Sequence, residues 1–397
     1  MSNSRNTLIL LHFLIFIIIA FNACNASSLK GALDLIDIRD KGSINIEPID
    51  WATFLKTRNT ELNSQQAGSI EIHSLVEIPS TSKILVLKKN AKLFLSDVSL
   101  ERNSSLCKFE QGFDSSAFDM TYGFIALSYS GRVVVYDISD CSAKFQLNRI
   151  KSRIATMAFN SDRQSLLMGG MDSRVYNWNY LKDTPSSSIN NQQLALERYF
   201  FHNSPITSVA IHPDGRVFFS GDSDGYLSVW KYYQEDAYSG EYDRNKHFGL
   251  RGYTEKAIRN TQRISSNNMI EKVVISSDGN YILSATQHGE IEIRKVRGYK
   301  EIATASAHTG LIYDLIMLKA SKPGEIRFIS LGRDGLLKLW RVVIDLNSIK
   351  LPVIEQLNSI ESGESRKLLL LDSGQLIAGT TTGSLVNLSD FIIQSSQ

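Results

Sequence analysis

Cysteine is scarce, three in 397 residues. That is too few for a disulfide scaffold, and with neither a C-x-x-C pair nor an H-E-x-x-H segment there is no zinc-ligand spacing. The fold must therefore rest on core packing, and no cofactor or metal is expected. An excess of one charge is also missing, since the formal net charge is only +2. Nucleic acid or an anionic membrane surface needs a concentrated basic field, so neither is the expected partner. The N-terminal apolar run is short as well. Leu8 to Phe21 spans 14 residues, interrupted only by His12, against the roughly 20 that cross a bilayer as a helix. Arg5 precedes the run and the small residues Ala23, Cys24 and Ala26 follow it, which is the order of a secretory signal peptide over residues 1–26, cleaved near Ala26. Two alternatives stay open: lipid attachment at Cys24, although Phe21 and Asn22 replace the residues usual before such a cysteine, and retention of the run as an anchor. Only in those cases is a membrane among the partners. All three place the body of the chain beyond a membrane, whether secreted, periplasmic or in a secretory lumen, because the single positive charge comes first.

What is present is ordinary globular composition, 43% hydrophobic and 21% charged, arranged as a repeat. Aligning on a turn glycine gives the column Ala91, Gly131, Ser173, Gly225, Gly289, Gly335 and Gly383, with spacings of 40, 42, 52, 64, 46 and 48 residues. Two positions on, every member is apolar: Leu93, Val133, Val175, Leu227, Ile291, Leu337 and Leu385. Four positions on, all are apolar but Asn177 and Asn387. Period-two apolar placement after a turn is a strand of a buried sheet. Turn signals at 161–163, 213–215 and 277–279 fall between consecutive strands. Asp50 followed by WATFLK (51–56) reads as a capped short helix.

Five positions past the turn stand Trp178, Trp230 and Trp340. Before two of them come His202, Ser220 and Asp224, and His308, Ser330 and Asp334. Here residues 70 to 390 resemble the WD-repeat family, although no copy has the Trp-Asp pair and repeats one, five and seven are degenerate. The resemblance implies an all-β fold, a single seven-bladed β-propeller of four-stranded antiparallel blades over residues 71–397, after an extension at 27–70. It also implies that one blade is completed from both chain ends, by ALDLIDI (32–38) or by the C-terminal FII (391–393).

Gly221-Asp222-Ser223-Asp224-Gly225 matches a G-x-S-x-G nucleophile elbow, but that chemistry needs a strand-to-helix turn, and the context here is strand, turn, strand. His202, Ser220 and Asp224 contain the side chains of a catalytic triad, as do His308, Ser330 and Asp334. Two sets at one spacing are what a repeated structural device gives. By resemblance, each set with Trp230 or Trp340 is a buried hydrogen-bond network. In blade five, His288 and Arg294 replace the aspartate and tryptophan, so the network is lost there. Cys107 and Cys141 lie in the outer regions of blades one and two, with pairing left open. Of the N-x-S/T sites, Asn103 is expected to be accessible and Asn387 shielded.

The residue two before each turn glycine is expected to project around one rim, giving a partner surface of Tyr129, Met171, Ser223, Gln287 and Arg333 between Lys89 and Thr381. Tyr129, Met171 and Arg333 are the types enriched where interfaces desolvate. A second candidate is the insertion 231–263, with five tyrosines and the basic residues Arg244, Lys246, Arg251, Lys256, Arg259 and Arg263. The sequence thus points to a non-catalytic scaffold for a protein or peptide partner outside the cytosol. A membrane-tethered envelope assembly factor and a propeller enzyme are the alternatives.

Overall fold

The alternating apolar segments form short antiparallel strands, and the computed structural model sets them as seven small sheets in a ring. It describes residues 46–58, 70–99, 103–148, 150, 152–180, 199–231, 268–319, 322, 324–344 and 352–393. The blades occupy residues 72–108, 115–148, 154–201, 206–231, 270–306, 312–361 and 365–387, each a meander in chain order. Blades four and seven have three described strands and the others four. The signal-like segment, residues 32–38 and the insertion beyond Lys231 lie outside the described residues.

A twisted sheet with two apolar faces buries both only between neighbours, and the core is divided accordingly. Phe219, Leu227 and Val229 of blade four pack on Ile270, Val273 and Ile282 of blade five. Leu337 and Leu339 of blade six pack on Leu368, Leu376 and Ala378 of blade seven. The ring closes where Ile72, Ile84 and Val86 of blade one meet Leu371 and Ile377 of blade seven. Two polar links seal that joint: the Asp372 amide donates to Glu77 Oε2 at 2.7 Å and Lys88 Nζ to the Gly383 carbonyl at 3.0 Å.

The turn column holds one backbone conformation. Ala91 (φ 61°) and Ser173 (φ 66°) adopt the left-handed region alongside Gly131 (86°), Gly225 (86°), Gly289 (86°), Gly335 (78°) and Gly383 (83°). Glycine recurs there because that region is sterically costly with a Cβ. A second regularity is not expected from the alternation. Six inner strands, all but that of blade two, shift register at their second residue, leaving His73, Ala155, Thr207, Glu271, Tyr313 and Arg366 as bulges.

Before the ring, Trp51–Arg58 is a helix, and Asp50 Oδ1 accepts the Ala52 and Thr53 amides at 3.1 and 3.2 Å. Its Trp51, Phe54 and Leu55 join the core of blades one and two, with the Trp51 indole donating to the Met120 carbonyl at 2.8 Å. Two sequence expectations are corrected at the other end. The FII segment lies in a helix, Ser389–Ile393, and not in a strand. Asn387 is exposed rather than shielded; it ends the third strand of blade seven, and no fourth strand covers that strand among the described residues. Asn387 Oδ1 accepts the Ser389 amide at 2.9 Å at the start of the helix, whose Phe391 packs in the core of blades six and seven. Cys107 and Cys141 form a disulfide, Cα–Cα 5.6 Å, tying the outer strand of blade one to blade two.

Candidate functional site

In blade four, His202 Nδ1 lies 2.8 Å from Asp222 Oδ2 and Nε2 2.7 Å from Ser220 Oγ, while the Trp230 indole donates to the same oxygen at 2.7 Å. In blade six, His308 Nδ1 is 2.9 Å from Asp334 Oδ1 and Nε2 2.6 Å from Ser330 Oγ, with Trp340 donating to Ser330 at 2.8 Å. One assignment satisfies both sets. The ring donates from Nδ1 to the carboxylate, and the serine donates to Nε2 and accepts from the indole. Each serine is fully buried and its hydroxyl is committed on both sides, so its proton already points at a base while the indole covers its lone pair. Burial holds the His308 imidazole below the usual histidine range, against the opposing hydrogen bond and charge of Asp334. For Asp334, burial acts upward, but hydrogen bonds from His308 and the Thr309 amide outweigh it and hold the carboxyl below its ordinary range.

The acid in blade four differs from the sequence reading: it is Asp222, and Asp224 is exposed at the turn tip. In blade six the residue aligned with Asp222 is Gly332. A Cβ there would stand 2.2 Å from His308 Nδ1 and 2.6 Å from Asp334 Oδ1, so the Asp334 carboxylate fills the space the glycine leaves. With an aspartate already on the strand at 222, the histidine is satisfied locally. Period-two alternation, which puts residues 220 and 222 on one face, was the available signal.

Blades three and five depart in instructive ways. Met168 stands where blade four has Ser220, and the buried Trp178 indole has no hydrogen-bond partner among the described residues. In blade five Arg294 occupies the tryptophan position. It is buried against Glu292, two residues back on the same strand face, and also donates to the Tyr299 carbonyl at 3.1 Å. His288 is exposed beside Gln287.

The rim residues are fixed by a repeated main-chain contact. The amides of Lys89, Met171, Ser223, Gln287, Arg333 and Thr381 donate to the carbonyls of Glu71, Arg153, Pro205, Met269, Leu311 and Glu364, each just before an inner strand. Met171 is 47% exposed and Arg333 is also exposed, while Ser223 and Gln287 are half-buried. Tyr129 is not a rim residue. It is 5% exposed, packs in the core of blades one and two, and donates its hydroxyl to the Glu110 carbonyl at 3.1 Å. Its hairpin is one residue shorter: Tyr129 pairs with Arg132, leaving only Ser130 and Gly131 in the turn. Counting back from the glycine therefore lands on the strand.

The carbonyls gripped by the rim amides of blades one, six and seven are two residues before the bulged His73, Tyr313 and Arg366. A bulge re-aims its side chain, and these half-buried groups pair across blades. The Arg366 guanidinium lies 4.1 Å from the Tyr313 ring centre, and the His73 ring 4.7 Å from that of Phe113. The rim and the bulged residues thus gather at one end of the blades.

A family model described as "WD domain, G-beta repeat" matches residues 195–231. The chain is 30% identical over 127 residues, 30% of its length, to the human serine-threonine kinase receptor-associated protein, and 25% over 109 residues to the chicken protein of that name. It is also 22% identical over 197 residues to the WD repeat-containing protein 91 homolog of Dictyostelium discoideum. The matched segments span 28%, 32% and 21% of the chicken, human and Dictyostelium relatives, about a third of their length or less. Among solved structures, the WD40 β-propeller domain of Doa1 superposes with a TM-score of 0.56 at 12% identity, over 82% of this chain and 95% of that one.

Proposed function

We propose that this chain, a seven-bladed β-propeller of the WD-repeat type, is a non-catalytic scaffold that holds a peptide segment of a partner protein outside the cytosol. The carrying observation lies at one end of the blades, where Met171 projects from the turn of blade three and Arg333 from that of blade six, the latter held to the Leu311 carbonyl two residues before Tyr313, whose ring stacks on Arg366. Arginine, aromatic and methionine side chains supply contact area and directional bonds where an interface desolvates. Five relatives are named for association with a serine-threonine kinase receptor, which supports a protein as the partner class. The Ser220 and Ser330 hydroxyls are consumed in buried networks, which favours scaffold over hydrolase. For the compartment, the N-terminal sequence has signal-peptide order, and the Cys107–Cys141 disulfide is the kind of bond that persists in oxidising surroundings.

The test begins with crosslinking in the native compartment to identify the partner, followed by affinity measurements on the wild type and on the combined Met171→Ala, Tyr313→Ala and Arg333→Ala variant. A variant that still unfolds cooperatively, with affinity reduced at least tenfold, is expected. Undiminished affinity in the folded variant rejects this end of the propeller as the binding surface. N-terminal sequencing of the native protein tests export, with a start near residue 27 expected.

A further inference from the structure

The sequence holds three N-x-S/T segments, beginning at Asn25, Asn103 and Asn387. Asn25 lies outside the described residues, within the signal-like segment. The fold treats the other two in opposite ways. Asn103 opens the outer strand of blade one, opposite Ser96 of the third strand. It is half-buried, and its Oδ1 is enclosed with no hydrogen-bond partner among the described residues. A bulky group on that carboxamide has to displace the atoms that enclose it.

Asn387 ends the third strand of blade seven, opposite Ile377, and its side chain is exposed. The chain turns at this point. The Leu388 amide donates to the Leu376 carbonyl at 2.8 Å, and the helix Ser389–Ile393 begins with Phe391 buried in the core of blades six and seven. The turn is therefore anchored on both sides. Within it, Asn387 Oδ1 accepts the Ser389 amide at 2.9 Å and the Ser389 hydroxyl, and Ser389 Oγ accepts the Leu376 amide at 3.2 Å. The carboxamide is held by its oxygen alone. Its Nδ2 makes no hydrogen bond among the described residues. That nitrogen is the atom to which a glycan is joined, and the hydroxyl two residues on is what defines the acceptor segment. Both belong here to one exposed, packed turn.

We propose that Asn387 is an N-glycosylation site. Nδ2 attacks C1 of an oligosaccharide carried on a lipid diphosphate, and the N–C1 bond forms as the C1–O bond to the diphosphate breaks. The diphosphate leaves with the bonding pair, and Nδ2 gives up one proton to a base of the transferase that brings the donor. The site rests on the export reading, because that donor and transferase belong to the secretory route.

The full chain with its own N-terminus is expressed in cultured eukaryotic cells. Exported chain is recognised in the medium or by protease protection inside unbroken vesicles. It is then treated, in heavy-oxygen water, with the amidase that releases N-glycans, which turns a glycosylated asparagine into a heavy aspartate. Mass spectrometry of the tryptic peptide that follows Lys367 reads residue 387. The wild type is expected to carry the heavy aspartate there and to gain mobility on a gel after the amidase. Asn387→Gln and Ser389→Ala are expected to lose the mark, Ser389→Thr to keep it, and Asn103→Gln to leave it unchanged. Exported wild type with an unmarked Asn387, or a mark that survives in Ser389→Ala, overturns the site and leaves export standing. Chain found only outside the vesicles and absent from the medium overturns export, and the glycan with it.

Discussion

Ser220 and Ser330 each donate to an imidazole and accept from an indole, so at the residue scale the two networks act as cross-links between the tryptophan strand and the preceding loop. Removing one member strands buried polar groups, which costs more than the bond itself contributes. Asp222→Ala removes the partner of His202 Nδ1 and the bond that the Tyr226 amide makes to Oδ1, and should destabilise the chain by about 2–4 kcal/mol. Asp224→Ala, at an exposed tip two residues on, should stay within about 0.5 kcal/mol. Denaturant midpoints of the two variants check this, and equal losses would put Asp224 back in the network. The serine, histidine and tryptophan of each set were legible in the sequence because they keep fixed spacings. The acid was not, because blade four carries it on the strand and blade six on the turn. Tyr129 was misplaced for a related reason: a hairpin shortened by one residue moves a side chain from tip to core without changing the glycine column.

Elements reach across blades through single contacts that the sequence does not encode. Strand, turn and repeat were readable from alternation and the turn column. The bulges were not, because an unpaired residue leaves period two almost intact, although an Ile or Ser followed by a large or polar residue at 72–73, 270–271, 312–313 and 365–366 marks the place. The cysteines were visible, but their distance depends on how the outer strand of blade one lies against blade two. That strand is held at one end by the disulfide, with Cys107 buried. The link closes a segment with a sequence separation of 34. Replacing both cysteines by serine should therefore lower the unfolding free energy by about 2–4 kcal/mol. Urea unfolding with and without reductant measures it, and a wild type indifferent to reductant would mean that the bond carries no such constraint.

For the whole molecule, polar links join blade to blade at the turns between first and second strands. Ser161 donates to Asp119 at 2.9 Å, Asn160 and Arg163 donate to the Gly215 carbonyl at 2.9 and 2.8 Å, and His212 Nε2 meets the Gly279 carbonyl at 3.0 Å. Acid acts on this ring through groups whose protonation differs between folded and unfolded chain. Burial, aided by Lys367 and Lys89, lowers the His73 imidazole to about 3, and burial lowers His308 as well. A histidine lowered by folding contributes its full stability above the unfolded value near 6.5 and loses it as pH falls toward the folded value. The unfolded chain takes up protons that the folded one refuses. At about 1.4 kcal/mol per pH unit, His73 alone accounts for at most about 5 kcal/mol between pH 6.5 and about 3. Glu77, Glu271 and Asp119 are raised by burial and act in the opposite sense, gaining stability as pH falls. Comparing wild type with His73→Phe cancels those carboxylates and keeps an aromatic ring against Phe113. The unfolding free energy of the wild type should fall more steeply than that of the variant from pH 6.5 downward, the gap widening to pH 3.5. Parallel curves would mean that His73 titrates in the folded ring as it does in the open chain.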